Sequence, residues 1–138
     1  MTMVRSLPAI TDDNRAFWTG GEQGVLLIHR CQACRGYVHP PVPFCPACEG
    51  RDVVPEAVSG YGRVATYSVN YRQWQPDMPV PYVLALVELD EDPTIRIPTN
   101  IVGIDPEQVT IDMPVQVTFE QAQDLFVPLF RPVEGAQS

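Results

Sequence analysis

Lysine is absent from this chain: the nine basic residues are all arginine, 17 residues are acidic, and the formal net charge is −8. Such an acidic protein is repelled by nucleic-acid backbones unless its arginines cluster tightly. Without lysine there is no side chain for Schiff-base catalysis, and no serine lies in a nucleophile-elbow pattern. These absences argue against nucleic-acid binding and against covalent catalysis by this chain alone.

Long apolar runs are also missing, because no stretch of the sequence is long enough to span a bilayer. Residues 1–10 lack the basic-then-apolar order of a signal peptide. The sequence therefore predicts a cytoplasmic protein that does not enter a membrane. Its 15 prolines favour strands and loops over long helices.

The four cysteines form two Cys-x-x-Cys knuckles, Cys31 with Cys34 and Cys45 with Cys48. A hairpin between the knuckles brings four thiolates to one centre, which suits tetrahedral Zn²⁺. Two disulfides are one alternative, and iron at the same four sulfurs is another. We predict a structural zinc ribbon, because a four-cysteine site leaves no open position for water or substrate.

Two histidines flank the knuckles, His29 before the first and His39 between them. Either imidazole is chemically able to bind zinc, but four thiolates already fill the site. We therefore predict that both histidines are ordinary residues of the ribbon.

The chain divides by pattern into an N-terminal arm at 1–24, a zinc ribbon at 25–58, a barrel at 59–132 and a tail at 133–138. The arm carries a short helix that contains Phe17 and Trp18 and stops at Gly20-Gly21. Because so short a helix is unstable alone, both aromatic rings must pack on something. Two partners for the rings remain open, the core of the chain itself and the surface of another subunit.

The barrel region reads as five strands, with alternation that puts Ala65, Tyr67 and Val69 on one face and Val64 on the other. The second strand is almost wholly apolar and is expected to be covered on both sides. The predicted strands lie at 64–71, 82–89, 95–102, 113–120 and 126–130, with one helical turn at 105–109. A long loop after the first strand and a helical turn after the third fit a mainly β protein with a closed OB-type barrel.

Aromatic and arginine residues concentrate at the start and first loop of the barrel, a composition enriched at interface hot spots. These residues are Tyr61, Arg63, Tyr71, Arg72, Trp74 and Tyr82. The alternative for Tyr61, Tyr67 and Tyr71 is a core position with the hydroxyl at the rim. A single-stranded nucleic-acid binder also uses aromatics on an OB barrel, but it needs a basic groove. An iron electron carrier is a third class.

Motifs spread over nearly the whole chain resemble one family. They are Phe17-Trp18, both knuckles with Pro43, Gly60-Tyr61-Gly62-Arg63-Val64, Pro81-Tyr82, Val87-Glu88-Leu89-Asp90, Arg96, Thr99-Asn100, Met113-Pro114-Val115 and Phe130-Arg131-Pro132. In order and spacing the chain resembles the OB-fold and rubredoxin-like zinc-ribbon family of acyl-CoA-associated proteins, long known only as a domain of unknown function.

This resemblance implies a role beyond what the residues show. Proteins of the family accompany thiolase-fold enzymes, namely thiolases, acyltransferases and aldolases that release a steroid or sterol side chain from its CoA thioester. Some are fused to or paired with hot-dog-fold hydratases. The implied function is a non-catalytic subunit, in a two-plus-two assembly, that stabilises the enzyme and contacts acyl-CoA. The residues expected at the partner or CoA are Phe17, Trp18, Tyr61, Arg63, Arg72, Trp74 and Tyr82.

Overall fold

The computed structural model describes residues 9–72 and 80–133, and this part of the chain is mostly β. One short helix, α1, spans Arg15–Thr19, and 3-10 turns lie at Gly20–Gln23 and Pro106–Gln108. The strands are β1 Leu26–Cys31, β2 Tyr37–Val38, β3 Val53–Val58, β4 Tyr61–Asn70, β5 Tyr82–Leu89, β6 Asp92–Ile101, β7 Pro114–Ala122 and β8 Leu125–Pro132. Among these described residues, no helix has the length and apolar character needed to cross a membrane.

The first three strands form a small antiparallel sheet in the order β2-β1-β3. β1 pairs with β3 in a continuous register that runs from Leu26 opposite Val58 to Cys31 opposite Val53. Pro55 is tolerated in β3 because an edge strand leaves one row of backbone donors unpaired. The two-residue strand β2 lies on the other side of β1 and was not predicted, since so short a strand has no periodicity.

The other five strands close into a barrel in the order β4-β5-β6-β8-β7, and β4 pairs with β7 to complete the ring. All neighbours are antiparallel except β6 and β8, which meet at Ile101 opposite Phe130. A 3-10 turn capped by Asp105 separates the third and fourth barrel strands. This arrangement confirms the predicted OB-type barrel.

One apolar core runs through arm, ribbon and barrel. Phe17 of the arm and Leu26 and Ile28 of β1 belong to the same buried cluster as the barrel interior, which includes Val64, Val87 and Phe130. A second, much smaller cluster surrounds two of the cysteines. Arm, ribbon and barrel share this large core, so the core itself does not mark boundaries at residues 24 and 58. The proposed division of the chain at these residues stays a prediction.

A bulge in β4 corrects the predicted faces of that strand. The register against β5 shifts between Val64 and Thr66, so one extra residue interrupts the alternation. Val64 is therefore fully buried, although alternation placed it on the opposite face from Tyr67. Tyr67 and Val69 pack against the same core beyond the bulge.

The expectation that the second barrel strand is covered on both sides is wrong. Val83, Ala85 and Val87 point into the barrel, whereas Leu84 between them is 47% exposed. A barrel strand has one interior face, so its apolar residues on the other face remain at the surface.

The prediction that the short helix stops at Gly20-Gly21 is confirmed, because α1 ends at Thr19 with Gly20 as its C-cap. The chain continues through Gly20–Gln23 as a 3-10 turn. This turn ends at Gly24, which has a φ of 74°. Gly21 lies against the barrel, where an added Cβ would be 2.5 Å from the Phe119 ring and 2.6 Å from Cβ of Phe126. The missing side chain lets the arm pack closely onto β7 and β8.

Candidate metal centre and partner surface

The four cysteine sulfurs converge at the tip of the ribbon, all within 4.8 Å of one another. The Sγ atoms of Cys31 and Cys48 are 3.5 Å apart, and those of Cys34 and Cys45 are 3.7 Å apart. Zinc–sulfur bonds of about 2.3 Å in a tetrahedron require sulfurs about 3.8 Å apart, whereas a disulfide requires about 2.05 Å. The cysteines are free thiols in an arrangement that fits one tetrahedral metal ion.

Both knuckles use the same backbone hydrogen bonds. In each, the residue after the second cysteine donates to the carbonyl of the first, and the first cysteine donates to the glycine that follows. These bonds are Arg35 N to Cys31 O at 2.9 Å, Cys31 N to Gly36 O at 2.9 Å, Glu49 N to Cys45 O at 2.7 Å and Cys45 N to Gly50 O at 2.8 Å. The turns place Arg35 and Glu49 in the left-handed region, with φ of 66° and 63°.

Backbone N–H groups point at the sulfurs, among them that of Gly50. Its N–H lies 3.4 Å from Cys48 Sγ, and the Cys34 N–H lies 3.5 Å from Cys31 Sγ. A Cβ added at Gly50 would be 3.2 Å from Cys48 Sγ and 3.5 Å from Cys31 Sγ. These donors stabilise negative charge on sulfur, which is the form that binds metal.

The thiol pKa values show how closely the sulfurs interact. The Cys34 N–H is the main cause that lowers the pKa of Cys31 to about 7, and the Cys48 N–H likewise lowers the pKa of Cys45. The Gly50 N–H favours a Cys48 thiolate, but hydrogen bonding to Cys31 and Cys34 outweighs it and raises the pKa of Cys48 to about 12. Zinc binding displaces the protons that the thiols carry without metal.

The two histidines are outside the group of sulfurs. His29 in β1 is only 9% exposed, and burial lowers its pKa against the opposing effect of Asp13. The His39 ring lies 5.2 Å from the ring of Phe17, and burial followed by the charge of His29 lowers its pKa. Within the described residues, the only group of three or more potential metal ligands is the four cysteines. Both histidines are packing residues where the arm meets the ribbon.

A polar cluster beside the first knuckle was missed by sequence reasoning. Glu56 of β3 accepts hydrogen bonds from Gln32 at 2.8 Å and Arg35 at 3.1 Å, and pairs with Arg30 at 3.7 Å. The Gln32 amide is the largest cause that lowers the pKa of Glu56. The Arg30 guanidinium also stacks 4.4 Å from the Tyr37 ring centre. The sequence signal that could have indicated this cluster is Glu56 itself, a lone carboxylate in an otherwise apolar strand.

The structure places the arm aromatics at the core. Phe17 is only 7% exposed and belongs to the main buried cluster, and Trp18 packs edge-on against it at 4.9 Å between ring centres. The burial of Phe17 favours the core of the chain, one of the two contacts left open by the sequence, because little of its ring is accessible to another protein. Trp18 is partly buried and keeps an accessible portion.

The remaining candidate interface residues form two groups at opposite ends of β4. Tyr61 is 44% exposed, and Arg63 donates to the carbonyl of Asp112 at 3.1 Å. At the far end, Arg72 is exposed, and the Tyr82 hydroxyl accepts a hydrogen bond from the Asn70 amide. The groups lie at the two ends of this 10-residue strand, which would measure about 30 Å if fully extended. Tyr71, 62% exposed, joins the second group, and Trp74 lies outside the described residues.

A rubredoxin-like zinc ribbon joined to an OB barrel defines the class of this protein. Residues 18–54 match a sequence model described as the ChsH2 rubredoxin-like zinc ribbon domain, and residues 55–120 match one described as the ChsH2 C-terminal OB-fold domain. The chain belongs to this ChsH2, or DUF35, family. The cofactor of the site is structural zinc.

Similar proteins carry related names. A probable enoyl-CoA hydratase alpha subunit of Thermomonospora curvata is 41% identical over 94% of this chain, which spans 40% of that protein. A DUF35 domain-containing scaffold protein of Methanocaldococcus jannaschii is 34% identical over 75% of this chain and 73% of its own length. A solved structure titled Ltp2-ChsH2(DUF35) aldolase contains a chain of 42% identity with a TM-score of 0.81, covering 91% of this chain and 98% of that one.

Proposed function

We propose that this chain is a non-catalytic subunit that binds and stabilises a thiolase-fold enzyme acting on acyl-CoA thioesters. The enzyme would be an aldolase for steroid or sterol side chains, or a thiolase or acyltransferase. The observation that carries the proposal is the close match, over 91% of this chain, to a chain of the Ltp2-ChsH2(DUF35) aldolase. The scaffold name of the archaeal relative points the same way.

The chemistry of the described residues supports a non-catalytic role. All four cysteines are used at the metal site. In the acidic turn between β5 and β6, Glu91 accepts hydrogen bonds from the backbone and hydroxyl of Ser59, and Asp92 accepts two from Thr94. These carboxylates hold turns in place, which is a structural use rather than a catalytic one.

The partner contact is proposed at the aromatic and arginine residues near the two ends of β4, of which Tyr61, Arg63 and Arg72 are exposed. Tyr61 with Arg63, and Tyr82 with Arg72, offer the residue types that dominate interface hot spots. The guanidinium groups also suit the phosphates of CoA. Trp18 is proposed as a further contact, and Trp74, which lies outside the described residues, stays a predicted one. A second possible neighbour is a hot-dog-fold hydratase, which the hydratase name of the Thermomonospora curvata relative favours.

Affinity purification of the tagged chain from its native lysate tests this function. We expect a thiolase-fold enzyme in equal amount to the bait, identified by mass spectrometry, and no nucleic-acid absorbance. Tyr61→Ala and Trp74→Ala should each weaken recovery about tenfold or more without changing the unfolding curve. Glu107→Gln, at an exposed position in the 3-10 turn after β6, is the matched control.

Two outcomes would contradict the proposal. Recovery of single-stranded nucleic acid would favour the alternative OB-fold function, which the net charge of −8 disfavours. If the chain is folded and zinc-loaded but no enzyme is recovered with it, the proposed subunit role has no partner.

A further inference from the structure

The two knuckles of the metal centre share a backbone pattern but differ in what surrounds them. In the first, the side chains of Gln32 and Arg35 both reach Glu56 on β3, at 2.8 Å and 3.1 Å. Arg35 also donates to the Gln32 side chain at 2.7 Å. In the second, residues 45–50, no hydrogen bond or ion pair to a side chain outside the knuckle is found among the described residues, apart from contacts with the other ligand sulfurs.

Glu56 lies at the centre of the side-chain contacts around the first knuckle. Its carboxylate faces two cations, Arg30 and Arg35, and Arg30 Nε also donates to the Arg35 carbonyl at 2.7 Å. Removing the negative charge leaves two guanidinium groups close together with no anion between them. The same change weakens the hydrogen bond from Gln32, which directly follows Cys31 in the sequence and also donates to the Arg30 carbonyl at 3.1 Å.

Backbone conformation sharpens the difference between the knuckles. Arg35 and Glu49 occupy equivalent left-handed positions, which are unfavourable for residues other than glycine. Arg35 is held there by its contacts with Glu56 and Arg30. Glu49 is exposed and has no comparable support within the described residues.

We propose that Glu56 is a positioning residue of the zinc site, and that it makes the first knuckle the stable half of the site. Zinc is then lost by opening of the second knuckle, with Cys45 and Cys48 released before Cys31 and Cys34. The inference concerns the metal centre alone and does not depend on the proposed partner.

The first test measures transfer of zinc from the zinc-loaded full chain to a chromophoric chelator. Glu56→Gln should release zinc about tenfold faster, the usual size of a lost outer-shell contact. Glu49→Gln removes a carboxylate from the second knuckle itself, at the position equivalent to Arg35 of the first, and should leave the rate unchanged. A Glu56→Gln rate equal to the wild-type rate would overturn the proposal.

The second test identifies which knuckle opens first. Iodoacetamide is added during chelation, and digestion after arginine separates the cysteine pairs into peptides 31–35 and 36–51. In the wild type we expect peptide 36–51 to be alkylated first, and in Glu56→Gln this order should disappear. Gln32→Ala, which keeps the cleavage sites, should reduce the order partially.

A merely structural role for Glu56 predicts a different result. Global destabilisation would expose all four cysteines together, so both peptides would react at one rate in the wild type and in the variant. That pattern, or earlier alkylation of peptide 31–35 in the wild type, overturns the proposal. Unfolding curves of the zinc-loaded proteins show whether Glu56→Gln remains folded during the measurement.

Discussion

The ribbon tip and the barrel are stabilised in different ways. The tip has a cluster of only Cys31, Val38 and Cys45, with Val42 and Val53 packed against it. The barrel closes five strands around a large apolar interior in which Val64, Val87 and Phe130 are fully buried. A cluster as small as that of the tip does not bury enough apolar surface to fix the backbone, so the metal must supply the missing free energy.

The base of the ribbon is stabilised by the same apolar core as the barrel. Leu26 and Ile28 of β1 are 1% exposed and share the main core with the barrel strands, and Phe17 of the arm joins them. Loss of the metal centre is therefore expected to spread down β1 and β3 toward this shared core. The metal-dependent part therefore includes the cysteine ends of β1 and β3 and stops at Ile28 and Leu26, where the shared apolar core begins.

Cys45→Ser should have the largest effect on the ribbon. Losing one thiolate prevents tetrahedral closure, and structural zinc contributes about 10 kcal/mol or more to folding in small zinc domains. We expect loss of bound zinc and rapid amide hydrogen exchange in β1–β3. Metal analysis and hydrogen exchange by mass spectrometry measure both, and Cys31→Ser should behave alike.

A substitution in the barrel core provides the contrast to Cys45→Ser. Phe130 is fully buried, so Phe130→Ala should cost about 3–5 kcal/mol of unfolding free energy while zinc stays bound in the folded protein. The comparison fails if Cys45→Ser retains full stability after chelation, or if Phe130→Ala loses zinc before it unfolds.

Gly60→Ala tests the junction between ribbon and barrel, with Gly24→Ala as the matched control. Both glycines have positive φ, 83° and 74°, but only Gly60 would place a Cβ against a neighbour, 2.5 Å from Val117 Cγ1. We expect about 1 kcal/mol lost in Gly24→Ala and about 2–4 kcal/mol in Gly60→Ala. Denaturant unfolding measures both.

The role of Val117 in this junction can be isolated. In a Val117→Ala background the additional cost of Gly60→Ala should fall toward that of Gly24→Ala, because the colliding methyl group is gone. Equal costs for the two glycine substitutions in the wild-type background would show that the junction tolerates a side chain.

Sequence reasoning predicted the architecture because its signals were local and repeated. Two Cys-x-x-Cys knuckles define the metal site by spacing alone, and alternation located the five barrel strands to within a few residues. The loop after the first barrel strand and the turn at Pro106–Gln108 then indicated the OB topology. These features need no knowledge of which residues meet in space.

The features that were missed depend on contacts between distant parts of the chain. The bulge near Ala65 is set by pairing with β5, and the Glu56 cluster requires the register of β1 against β3. The role of Gly21 appears only when the arm lies on β7 and β8. For the same reason the predicted interface residues lie in two groups. Residues that are close in sequence around one strand are not always close to one another on the surface of the barrel.

The smallest expected effect is a pH dependence at the boundary between arm and ribbon. Burial lowers the pKa of His39 below its ordinary value of 6.5, and the neighbouring His29, itself facing Asp13, lowers it further. The unfolded chain therefore binds more protons than the folded one below pH 6.5, so this contribution to stability is present at neutral pH and is lost as pH falls toward the folded pKa.

His39→Gln separates this contribution from proton competition at the cysteines. The variant should show a shallower loss of unfolding free energy between about pH 7 and about pH 5, because it keeps the thiolates but removes one titrating group. Denaturant unfolding in saturating zinc measures the slope for both proteins. Identical slopes would mean that His39 is protonated as easily in the folded chain as in the unfolded one, and that acid destabilises the ribbon through its metal centre and other groups.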